Sequence, residues 1–219
     1  MGNTIVAKPS EMTPLTANLL AETLDELKLP EGVFNLVHGL GPEVGQAIVE
    51  HPNIKAISFT GGTSTGRTVA ATAAPMFKKL SLELGGKNAT VLLDDARIDD
   101  IVDELVRASF TNSGQVCLCG SRVLIPAKMY DEVAEKFVKG VERLKLGDPM
   151  DESTQMGAVI SAEHLSKVES YINLGIEEGG VVLTGGTSVN ASVSGVHAEG
   201  AFLRPTVIGG LKHLSLIHI

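Results

Sequence analysis

The chain has 219 residues, with 18 basic and 26 acidic side chains and a net charge of −8. An acidic chain without clustered cations or interleaved aromatics is poorly suited to a phosphate backbone, so nucleic acid is excluded as the expected partner. Apolar residues make up 43% of it, enough for a substantial core, but no stretch approaches the roughly 18 consecutive apolar residues of a membrane helix.

The opening MGNTIVAKPSE lacks the charged lead and apolar run of a secretory signal. Thr13-Pro14 reads as an N-cap and first helical residue, followed by Leu20, Leu24 and Leu27 on one face and a stop at Pro30 and Gly32. Val33 to Val37 predicts a strand, Glu43 to Glu50 a short helix ending at His51-Pro52, and Ala56 to Thr60 a strand running into Gly61-Gly62. Gly66 to Ala74 predicts a helix, and Leu80 to Leu84 and Val91 to Leu93 predict strands. Ile98, Ile101, Val102, Leu105 and Val106 mark a helical face leading to Cys117. A strand at Arg122 to Ile125, a helix around Val133, Phe137, Val141 and Leu144, and another over Leu165 to Ile176 follow. A strand at Val181 to Thr184, a polar loop from Gly186 to Gly200 and a last strand at Phe202 to Ile208 complete the pattern. Short β-branched runs alternating with helical periods predict an α/β fold, a parallel sheet with crossover helices.

Two cysteines, Cys117 and Cys119, are too few and too close for a disulfide framework, so a cytoplasmic, reducing setting is expected. The segment FTNSGQVCLCGSR can hold Cys117 in a sharp turn with its sulfur reachable, or bury it as a structural thiol. A metal reading is poorer, because Cys-x-Cys lacks the second ligand pair of a zinc site. Gly61 and Gly62, between a strand and a helix, suit the approach of backbone N–H groups to a phosphate, and equally suit an ordinary tight turn. Glu83 sits in the apolar run Leu82-Glu83-Leu84. A carboxylate there either is buried and put to use in proton transfer, or lies at a sheet edge facing water.

Taken together, KPSE at Lys8 to Glu11, PEGVFNLVHG, FTGGTSTG, LSLELGGKN, FTNSGQVC and the late LRPTVI resemble the aldehyde dehydrogenase superfamily, in that family's order. Glu83 and Cys117 also keep the family's separation. The resemblance implies a Rossmann-type NAD-binding part over residues 1–85 and the start of a second α/β catalytic domain over 86–219. It implies Cys117 as nucleophile, Glu83 as general base, and NAD as cofactor held by Lys8, Glu11, Gly61, Gly62, Leu84 and Gly85. A carboxylate at Glu11 would repel the 2′-phosphate of NADP. Cys119 has no catalytic match and is expected to be structural. The string Cys117-Leu118-Cys119 is similar to the branch that oxidises 2-aminomuconic or 2-hydroxymuconic semialdehyde. A small-molecule aldehyde substrate and a homo-oligomeric parent, dimer or tetramer, are implied, with no metal.

The same resemblance implies a longer parent, truncated here at both ends, with residues 211–219 not continuing the family pattern. An asparagine that completes the oxyanion hole would precede Lys8, and losing one such donor typically costs about 10²–10³ in rate. With that donor missing and interior strands left as open edges, the chain alone is expected to be poorly stable and nearly inactive. The competing readings are a non-catalytic NAD-binding or assembly remnant of the same fold, and a cysteine acyl-transferase. The latter would need a histidine base beside Cys117, and none of the six histidines forms such a motif; His51 reads as a helix-end residue.

Overall fold

A computed structural model describes residues 2–186, 200–212 and 215. The chain divides into two compact units, Met1–Gly85 and Gly86–Ile219.

In the first unit, β1 (Ile5–Ala7) pairs in parallel with β2 (Phe34–Leu36), the two joined through α1 (Leu15–Glu26). A π-turn at Gly41–Gly45 runs into α2 (Gln46–Glu50), and β3 (Ala56–Gly61) leads through α3 (Thr63–Ala73) to β4 (Lys79–Leu84), again parallel to β3. Each pair is a strand–helix–strand crossover, which brings two parallel strands side by side. Gly66, Val69 and Ala73 form the buried stripe of α3. Val49, Ile57, Val69 and Ala73 make the small core, with Phe59, Leu80 and Leu82 packed on it. Lys78 is buried with them, and its ammonium donates to the carbonyls of Val49 (2.5 Å) and His51 (2.7 Å), which closes the open C-terminal end of α2.

In the second unit, β5 (Ala89–Val91) is parallel to β6 (Arg122–Leu124), with α4 (Ile98–Phe110) as the crossover. Asp99 and Asp100 in its first turn and Arg107 in its last complement the helix dipole. α5 (Tyr130–Glu142) packs on α4. Leu92, Ile98, Leu105, Val106, Val133, Phe137 and Val141 form the larger core, in which a buried aliphatic or aromatic side chain contributes about 1.5–3 kcal/mol. α6 (Ala162–Glu177), capped by the Ser161 hydroxyl accepting from the His164 N–H, precedes β7 (Val181–Thr184), which pairs antiparallel with β8 (Val207–Gly209).

The α/β reading with parallel strand pairs stands, and the corrections concern individual elements. Among the described residues the strands form four two-stranded sheets, three parallel and one antiparallel. The sequence reading has no strand at Ile5–Ala7, a three-residue run too short to show period two. Pro14 occupies the N-cap of α1 in place of Thr13, and among the described residues α1 has no buried leucine. α3 starts at Thr63, so Gly66 lies inside the helix. The strand read as Val91 to Leu93 pairs at Ala89–Val91, and that at Phe202 to Ile208 shrinks to Val207–Gly209 beyond Pro205. The polar loop at Gly186 to Gly200 and the tail at 211–219 fall largely outside the described residues.

Candidate active site

The last residue of β3, Gly61, pairs with Leu84 on β4, and Gly62 is the N-cap of α3. That cap has extended geometry, no side chain to satisfy the first amides, and no acid in the first turn. A Cβ at Gly62 would meet nothing within 4 Å, so the ground in front of the helix end is open. Unpaired N–H groups, a positive dipole end and space together fit a phosphate group. Gly66 has a different task. A Cβ there would lie 2.6 Å from the Leu84 Cδ2, so its bare backbone is what lets α3 settle on β4.

Lys8 follows β1, and its ammonium donates to the carbonyls of Pro9 (2.6 Å) and Gly39 (3.1 Å) and lies 3.4 Å from the Glu11 carboxylate. Backbone hydrogen bonding first, and then Lys8, hold the Glu11 carboxyl below the usual glutamate range, so it stays anionic at neutral pH. Lys8 and Glu11 thus form one local unit. Glu83 lies on the exposed face of β4, where residues alternate exposed and half-buried. Leu84 is on the half-buried face, and Gly85 ends the first unit.

Cys117 belongs to the second unit, in a turn closed by the Cys119 N–H donating to the Val116 carbonyl (3.0 Å). Its thiol is exposed, whereas Cys119 is buried with its sulfur 3.7 Å from the Thr111 carbonyl; both are free. Among the described residues the amide N–H of Cys117 meets no acceptor. The chain reaches this turn through a kink in which Asn112, Ser113 and Gly114 all adopt left-handed φ (52°, 57° and 73°), a costly path for serine. Gln115 straps the kink down, its side-chain oxygen accepting from the Ile160 N–H (3.1 Å). On the far side the Ser109 hydroxyl bonds to the carbonyls of Leu105 (2.9 Å) and Gly120 (3.1 Å). The Asn88 side-chain amide donates to the carbonyls of Cys117 (2.5 Å) and Cys119 (3.4 Å). Partial desolvation and then the Arg122 guanidinium lower the pKa of neighbouring Lys87.

The aldehyde dehydrogenase family model matches residues 1–218. The chain belongs to the aldehyde dehydrogenase family. It is 44% identical over 216 residues to a 2-aminomuconic semialdehyde dehydrogenase of Danio rerio, covering 99% of this chain and 44% of the relative. A 2-aminomuconic 6-semialdehyde dehydrogenase of Pseudomonas sp. is 45% identical over 212 residues, covering 96% and 43%. The chain therefore spans less than half the length of these relatives. Among solved structures, a variant of aldehyde dehydrogenase C from Pseudomonas syringae in complex with NAD+ and octanal superposes with a TM-score of 0.92 at 38% identity, covering 98% of this chain and 44% of that one. Betaine aldehyde dehydrogenase from Staphylococcus aureus in complex with NAD+ gives 0.92 at 37%, covering 98% and 42%.

For an aldehyde dehydrogenase-family chain, sequence reasoning singled out the reactive-looking groups and missed their supports. Asn88 and Ser109 carry ordinary polar side chains, and nothing in their immediate sequence marks them as supports. Among the described residues no three His, Cys, Asp or Glu side chains converge as a metal site, and no helix is long and apolar enough to cross a membrane.

Proposed function

We propose that this chain carries the nucleophile, the general base and part of the cofactor site of an enzyme oxidising an aldehyde to a carboxylic acid with NAD. The observation that carries the reading is Cys117, an exposed thiol on a braced turn whose own amide N–H meets no acceptor among the described residues, in a chain whose other thiol is buried. Residues 1–85 are read as the C-terminal part of the NAD-binding domain, and 86–219 as the start of the catalytic domain.

The α3 end at Gly61 and Gly62 would receive the pyrophosphate, Lys8 and Glu11 the adenosine ribose, and the backbone at Leu84 and Gly85 would border the nicotinamide. An anionic Glu11 repels an added 2′-phosphate. The Cys117 thiolate adds to the aldehyde carbon, forming a C–S bond and leaving negative charge on the carbonyl oxygen. The free Cys117 N–H is a donor for that charge. NAD, when bound, accepts hydride from the same carbon. The thioester left on Cys117 is opened by water, from which Glu83 takes the proton; the C–S bond breaks and the acid departs with the thiolate restored. Glu83 is exposed on β4, which is compatible with a carboxylate that meets solvent.

For the substrate we propose a muconic-type semialdehyde, supported by the names of the relatives at 43–45% identity and by the Cys-Leu-Cys string. The test is NAD reduction over an aldehyde panel that includes 2-hydroxymuconic semialdehyde, on the chain and on the longest reading frame containing it. Turnover that disappears in Cys117→Ser is expected. NAD binding with no oxidation of any aldehyde would favour a non-catalytic cofactor-binding remnant instead.

A further inference from the structure

The turn that presents Cys117 has several braces, and they are unevenly placed. Ser109, the Ala108 carbonyl and the Thr111 carbonyl all hold its far end, at Cys119 and Gly120. Among the described residues, the single hydrogen bond that reaches Cys117 itself is the one from Asn88 to its carbonyl, 2.5 Å long. The same NH2 group faces the Cys119 carbonyl at 3.4 Å. Two carbonyl oxygens can be served only by the amide nitrogen with its two N–H donors, so the orientation of this side chain is set by its partners. Asn88 is itself anchored, because its backbone carbonyl accepts the Arg122 N–H (3.1 Å) at the head of the β5–β6 ladder.

We infer that Asn88 is a positioning residue for Cys117, its amide transmitting the rigidity of the β5–β6 ladder to the peptide plane that follows the thiol-bearing residue. This deepens the proposed function and rests on Cys117 being the nucleophile there. A peptide unit is planar, so pinning the Cys117 carbonyl fixes the whole 117–118 plane, and with it ψ at Cys117. The direction from which sulfur meets a carbonyl carbon then follows from the sheet. The Cys117 N–H lies on the other side of the same Cα, so thiol and oxyanion donor are held in one frame. A nucleophile left loose by about an ångström loses on the order of 10²-fold in rate.

The test compares Asn88→Ala, Asn88→Asp and Asn88→Gln in the full chain. Asp keeps the shape but offers only acceptors to two carbonyls; Gln keeps the donor on a longer arm at an exposed position. Iodoacetamide labelling read peptide by peptide reports each thiol separately and needs neither NAD nor turnover. In the parent chain Cys117 labels and Cys119 is protected. In Asn88→Ala and Asn88→Asp, labelling of Cys119 rises on the order of tenfold as the turn opens, and Asn88→Gln restores protection. In the longest reading frame, kcat for aldehyde oxidation falls about 10- to 100-fold while the aldehyde KM moves less than about threefold, the split expected when alignment rather than binding is lost. Unchanged labelling and kcat in Asn88→Asp overturn the inference. So does loss of the far-UV spectrum in both Ala and Asp variants, because Asn88 would then hold the fold and not the turn. Aldehyde oxidation surviving in Cys117→Ser would sink the catalytic reading separately, leaving the labelling result to judge the clamp.

Discussion

Glu83 on β4 stands opposite Thr60 on β3, one rung before Gly61 meets Leu84. The general-base candidate and the phosphate-binding candidate are thus fixed by one parallel ladder, and a shift of either strand would move both. Glu83→Gln changes the charge and leaves the ladder intact. If Glu83 activates water, the variant completes the first hydride transfer, and a burst of NADH persists. Steady-state turnover falls by about 10²–10⁴, the usual worth of a positioned base. Stopped-flow absorbance at 340 nm checks this; equal losses of burst and steady state would move Glu83 out of the hydrolytic step.

Gly66→Ala separates packing from phosphate binding. The new methyl carbon would press to 2.6 Å from Leu84 Cδ2, and the neighbour is a flexible side-chain end, so the structure yields at a cost of about 1–3 kcal/mol. Because Leu84 borders the proposed nicotinamide position, KM for NAD should rise as well. Urea unfolding and NAD titration on the same variant check both. A stability loss with unaltered NAD binding would confine Gly66 to a packing role.

Elements with a long or strongly periodic pattern were legible in the sequence. α4 and α5 announced themselves by Leu105, Val106, Val133, Phe137 and Val141, which do form the larger core. Short strands were less legible: the three residues of β1 carry too little alternation to register, and β8 was read too long, from Phe202 rather than Val207. The division at Gly85–Gly86 coincides with a glycine pair that punctuates the chain. At the site, Cys117, Glu83 and the glycines stood out because their chemistry is unusual for their surroundings. The exposure of Glu83 did not, since a lone carboxylate between leucines gives the same pattern whether the strand face is covered or open. The Asn88 and Gln115 bonds were invisible, spanning 29 and 45 residues with no local signature.

Lys78 closes α2 from the start of β4, the strand that carries Glu83. Lys78→Met keeps the apolar stem and strips the ammonium, leaving the Val49 and His51 carbonyls short of a donor. A buried polar group without its partner costs about 1–3 kcal/mol, so the denaturant midpoint should drop with little change in slope. A variant as stable as the parent would mean that water reaches those carbonyls and that the lysine is dispensable.

Asp151 sets an acid limit on the loop that follows α5. The Ser153 hydroxyl (2.6 Å) and amide (2.8 Å) donate to its carboxylate, Lys145 adds a weaker contact at 3.3 Å, and together they lower its pKa from 3.8 to about 2. A depressed carboxylate pKa means that the folded state binds the proton more weakly than the unfolded chain. The stabilisation is therefore complete above about pH 4 and is lost as pH falls towards 2. The stability gap between the parent and Asp151→Asn should accordingly be present at pH 7 and close between pH 4 and 2. It should also persist in 1 M salt, which screens Lys145 but not the Ser153 hydrogen bonds, the larger cause. Urea midpoints for both proteins across that range decide it. A gap that vanishes with salt at pH 7 would give Lys145, and not Ser153, the principal part.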